Sequence, residues 1–152
     1  MTIELLRDVA LFKDLSDAEL DAMKDIWTFR HVGAREQIVA EGDLMHEFFI
    51  VSAGVVHVRR LSEDGHEVLL GRILRGGVFG EMNLFSEGHA AASVYAMEEV
   101  RLAVTPNATL RDFMAARPDI GYKITSLLLE EVSARLRQTN DRLVHSMFWG
   151  KQ

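Results

Sequence analysis

At 152 residues the chain is long enough for one domain, taken as residues 1–152, to bury a core of its own. It holds no cysteine, which excludes disulfides, thiolate metal sites and a cysteine nucleophile and fits a reducing compartment. Its formal net charge of −6 argues against a dominant interaction with a phosphate backbone.

The N-terminal region, 1–27, reads as helical. A first helix is predicted from about Ile3 to Val9, and a second opens at Ser16. Ser16 followed by Glu19 makes a capping box, in which hydroxyl and carboxylate satisfy orphan amides at a helix start. Leu20, Met23, Ile26 and Trp27 then recur at helical spacing and are expected to form one buried stripe. Charges break every apolar run here, so neither a signal-peptide core nor a membrane span of about 20 apolar residues fits. The protein is expected to work in the cytoplasm.

Residues 28–105 change character. β-rich segments at Gln37–Ala40, Glu47–Ser52, Val55–Leu61, Glu67–Leu74, Ser93–Ala96 and Arg101–Val104 are separated by glycine or acidic turns. Asp64-Gly65 between two apolar runs predicts a hairpin, because glycine takes positive φ at no steric cost. Strands spaced this regularly predict a mainly β domain, an antiparallel β-roll of the jelly-roll-like kind, with helices at both ends.

Helix returns over 106–152. Pro106 suits a first helical position, with Thr105 or Asn107 able to cap. Pro118 opens a longer run to about Trp149, in which Leu129, Val132, Leu136, Thr139, Leu143 and Ser146 alternate three and four apart as an a/d seam. Such a seam packs either on the domain's own sheet or on a partner. A helix of ~45 Å outruns a domain this size, so its distal half is expected to meet a second copy in a parallel homodimer. Thr139 and Asn140 are costly in a dry seam, and serve either register control or a ligand.

The most informative stretch is LRGGVFGEMNLFSEGHAAASV, residues 74–94. A strand ends in glycines, and Phe79-Gly80-Glu81 opens a short apolar helix whose free amides make an anion cradle. Glu81 would repel an anion, so its expected task is accepting a hydrogen bond from a sugar hydroxyl. The sequence contains no GxSxG elbow, no Walker-type loop and no GxGxxG after a strand, and its six histidines lack paired ligand spacing. Neither enzymatic activity nor metal binding is expected.

In the order and spacing of LFKDLSDAEL, EGD at 41–43, FFIVSAGVVHV, EDGHEVLLGRILRGG, FGEMNLF and RLRQTNDRL, the chain resembles the cyclic nucleotide-binding domain family of catabolite-activator-type regulators. The resemblance implies a phosphate-binding cassette over 79–93 and cyclic AMP or cyclic GMP as ligand. In it Gly80 and Glu81 receive the ribose, and amides near Met82 and Asn83 hold the cyclic phosphate. Thr139 and Asn140 sit where the family's last helix reaches the purine, at times across the dimer. One departure stands out. The family's cassette arginine falls at Ala91 and its following hydroxyl at Ala92, so weakened or altered ligand affinity is expected. His89, Arg72 and Arg75 are the nearby candidates for a replacement cation. The acidic sequence shows no helix-turn-helix after the long helix, so no direct binding to DNA by this chain alone is expected; a degenerate, nucleotide-free interaction or dimerisation module, or the sensor part of a transcription regulator, are the alternatives.

Overall fold

A computed structural model of the chain describes residues 1–149; residues 150–152, which the expected last helical region includes, lie outside the described residues. Helix α1 (Ile3–Arg7) is capped by Thr2 Oγ1, which accepts from the Leu5 amide at 3.3 Å. Helix α2 (Asp17–Ala22) carries the expected capping box: Ser16 Oγ accepts from the Glu19 amide at 3.2 Å, and Glu19 Oε1 from the Ser16 amide at 2.9 Å. Leu20, Met23 and Trp27 are buried and Ile26 is half-buried, but they do not share one helix. α2 stops at Ala22, and a 3-10 turn over Lys24–Ile26 swings Trp27 onto Phe12 and Phe48.

Eight strands follow: β1 (Thr28–Val32), β2 (Gln37–Val39), β3 (Glu47–Ala53), β4 (Val56–Leu61), β5 (Glu67–Ile73), β6 (Val78–Phe79), β7 (Ser93–Ala96) and β8 (Val100–Pro106). They form two four-stranded antiparallel sheets, ordered β1-β8-β3-β6 and β2-β7-β4-β5. The expected roll is therefore present, with two strands added. β1 escaped the sequence reading because four of its five residues are exposed and leave no alternation, and β6 because two residues carry no period. The Asp64-Gly65 turn joins β4 to β5, with Gly65 at φ +86°.

The unbroken apolar run Phe48–Val51 on β3 reflects burial on both faces. Side chains alternate along a strand. Phe48 and Ile50 join the helices, Leu6, Phe12, Leu20, Leu110 and Ile124 among them, in one core, while Phe49 and Val51 meet Val56, Phe79, Val94 and Leu102 between the sheets. This central strand carries the cassette on its neighbour β6.

Helices α3 (Asn107–Ala116) and α4 (Pro118–Trp149) complete the described residues. Pro106 is the last residue of β8 and precedes α3, and no side chain caps that helix, so the expected cap from Thr105 or Asn107 does not form. On α4 Ile120, Ile124 and Leu128 are buried, whereas every residue from Arg135 to Trp149 is exposed. Leu129, Leu136 and Leu143 thus face away from the chain's own sheets, and the own-sheet alternative fails for the distal half of the seam.

Candidate functional site

β6 pairs with β3 through Phe49–Phe79 and Ile50–Val78, and the Phe49 and Phe79 rings stack at 4.5 Å. That pairing delivers Gly80 to the sheet edge at φ +84°, where an added Cβ would collide with the Glu47 carbonyl. Only glycine tolerates both the left-handed backbone and the close approach. A 3-10 turn over Glu81–Asn83 follows, closed by the Asn83 amide on the Gly80 carbonyl and the Leu84 amide on the Glu81 carbonyl, each 3.2 Å. Leu84 is fully buried and fastens the turn to the core.

The return segment lies along the turn at Glu41–Met45. The Ala90 amide donates to the Asp43 carbonyl at 2.7 Å, the Gly42 amide to the Ala90 carbonyl at 2.9 Å and the Met45 amide to the Gly88 carbonyl at 3.1 Å. The His89 ring adds a bond from Nδ1 to the Gly42 carbonyl at 2.9 Å. Between this segment and the turn lies a cavity of about 240 Å³ whose lining includes Gly80, Met82, Asn83, His89 and Ala90–Ala92. The floor, from Val58, Phe79 and Val94, is apolar, and among the described residues no arginine or lysine lines the cavity. Of the candidate replacement cations, Arg75 pairs with Asp8 and Arg72 is exposed on β5 opposite His57, and neither reaches the cavity.

Glu81 turns elsewhere. It is 7% exposed and lines a second, apolar cleft of about 370 Å³ between the turn and α4, together with Met82, Phe85, Leu128, Leu129 and Val132. Its Oε1 accepts from Arg135 Nη2 at 3.2 Å, and Arg135 also meets Glu131. Burial pushes the Glu81 carboxyl above the usual carboxylate range, against the opposing pull of its own backbone amide and of Arg135. Sequence reasoning missed Arg135, since its only local signal is the i,i+4 pair with Glu131. Thr139 and Asn140 stand exposed one turn further along α4. The structure therefore gathers Gly80, Met82 and Asn83 on one cavity, places Glu81 beside them on the α4 side, and leaves Thr139 and Asn140 on the open helix. Among the described residues no cluster of acids and histidines is built to hold a metal ion, and no helix is long and apolar enough to cross a membrane.

A β-roll that delivers a glycine-led turn and a small cavity to one edge, with a long helix flanking the turn across a second cleft, is the architecture of a ligand-sensing regulatory domain. The cyclic nucleotide-binding domain family matches residues 29–117, and the chain belongs to that family. It is 32% identical over 111 residues to a CRP-like cAMP-activated global transcriptional regulator of Mycobacterium tuberculosis, covering 73% of this chain and 48% of that protein. To a cAMP-dependent protein kinase regulatory subunit of Mycosarcoma maydis it is 36% identical over 104 residues, covering 66% of this chain and 20% of that protein. The chain thus spans half or less of the length of these curated relatives. Among solved structures, the Thermus thermophilus catabolite activator protein superposes with a TM-score of 0.82 at 27% identity, covering 91% of this chain and 63% of that one. The N-terminal domain of a Streptomyces coelicolor transcriptional regulator gives 0.78 at 27% identity, covering 91% and 94%.

Proposed function

We propose that this domain senses a cyclic nucleotide with weakened affinity and works as a homodimer through α4, in the cytoplasm, without catalysis and without touching DNA itself. The observation that carries the weakened affinity is the cavity lining, which among the described residues offers an apolar floor and the His89 ring but no arginine or lysine, with Ala91 where the family places arginine. An unpaired phosphate forgoes a contact worth roughly 2–4 kcal/mol, or about 30- to 1000-fold in affinity. The remaining donors are the amides at the turn, and the Asn83 amide is shared with the Gly80 carbonyl. For a sugar in the cavity to take Glu81, the carboxylate must turn from the α4 cleft and leave Arg135, so occupancy weakens a contact that ties α4 to the cassette. Thr139 and Asn140, exposed on α4, are placed for a purine only if the second copy lies alongside. The apolar residues exposed along α4, Leu129, Leu136, Leu143 and Met147, support that dimer.

Thermal-shift titrations with cyclic AMP, cyclic GMP and cyclic dinucleotides test the reading. A shift with a cyclic mononucleotide only in the high micromolar to millimolar range is expected. A second reading, a dimerisation module that binds no nucleotide, is favoured by Ala91 and by the Glu81–Arg135 pair. It would be identified by the absence of any shift at millimolar ligand in a protein that still sediments as a dimer.

A further inference from the structure

The cassette turn is too short to hold itself. Three residues of 3-10 helix close two hydrogen bonds, and the carbonyls at the end of such a turn have no partner inside it. Helix α3 supplies the partners. Asn107 Nδ2 donates to the Asn83 carbonyl at 3.2 Å, and Arg111 Nη1 donates to the Leu84 carbonyl at 2.7 Å. Asn107 is 3% exposed and its backbone amide donates to the His46 carbonyl at 2.8 Å, while Arg111 lies one helical turn further along the same face.

We propose that Asn107 and Arg111 are the positioning residues of the cassette, fixing the turn that presents Met82 and Asn83 to the cavity. Arg111 is a charged donor on a backbone carbonyl, among the stronger polar contacts available, and with the neutral Asn107 amide it holds the turn at two successive carbonyls from one helix. The importance of this anchoring for sensing rests on the ligand-binding reading above; the anchoring itself does not.

Hydrogen exchange on the full chain separates the two. Arg111→Met is expected to speed exchange of the amides at 82–86 by about tenfold while core amides on β3 and β8 change less than about twofold. Arg111→Lys, which keeps a charged donor, restores most of the protection, and Asn107→Ala reproduces a smaller selective effect. With millimolar cyclic AMP, the wild type gains protection at 80–84, and Arg111→Met loses at least half of that gain. Uniform acceleration across the domain, an unchanged turn, or no rescue by lysine would overturn the positioning role. Absence of any nucleotide effect in the wild type would count against cyclic nucleotide sensing and leave the ligand-free comparison to judge the anchors.

Discussion

Replacing Ala91 by arginine, with Ala92→Ser, should add a cationic phosphate contact to a cavity that no described arginine or lysine lines. Ala91 is exposed at the cavity edge, so the longer side chain meets solvent rather than packed atoms. The backbone that carries it is held on both sides by the Ala90 bonds to Asp43 and Gly42 and by Ser93 Oγ, which accepts from the Glu41 amide at 2.8 Å. A guanidinium about 4 Å from a phosphate charge gains on the order of 4 kcal/mol at an effective dielectric near 20. Ordering the arginine side chain costs up to about 2 kcal/mol. The net, about 2 kcal/mol, is roughly 30-fold in Kd for cyclic AMP. Titration calorimetry on the wild type, the double variant, Glu81→Ala and the triple variant measures it. A gain of at least about tenfold (~1.4 kcal/mol) is expected, and Glu81→Ala should remove most of it, because the sugar loses its acceptor. A gain below about threefold (~0.7 kcal/mol), or one indifferent to Glu81, would refute the assignment of Ala91 and Glu81 to phosphate and ribose.

Other substitutions probe separate parts of the account. Leu136 is 59% exposed on α4, so Leu136→Glu should leave the fold intact and turn a dimer into a monomer in sedimentation at tens of micromolar; a monomeric wild type would sink the dimer. Gly80→Ala should lower stability by about 1–3 kcal/mol in chemical denaturation, since the left-handed backbone and the Glu47 carbonyl both oppose a Cβ. For Glu81 the raised carboxyl means the folded state holds its proton more tightly than the unfolded one. That contribution is present at low pH and is lost as pH rises from the ordinary carboxylate range through the raised folded value. Glu81→Gln should therefore melt within about 1 kcal/mol of wild type at neutral pH and lack this slope, since Arg135 retains Glu131. A large loss at neutral pH with the slope unchanged would show that the Arg135 pair dominates instead.

How far the sequence reached depends on whether the signal is local. The capping box at Ser16 and Glu19 and the Asp64-Gly65 hairpin involve residues a few positions apart, and both form as expected. The run Phe48–Val51 marks a strand, though its burial on both faces emerges only from the two cores it joins. β1 was invisible because its exposed residues depend on pairing with β8, some 70 residues away, rather than on a pattern of their own. Gly80 was legible as a backbone requirement. The direction of Glu81 was not, because its partner Arg135 lies 54 residues further on and the choice between cavity and cleft is made by the packing of α4.

The central claim, a retained but weakened cyclic nucleotide site, is tested most directly by residue-resolved NMR of the wild-type domain titrated with cyclic AMP. Fast-exchange shifts concentrated at Gly80–Asn83 and Ala90–Ala92, saturating only toward millimolar ligand, are predicted. Slow exchange with saturation at stoichiometric ligand, or shifts that never involve those amides, would contradict it.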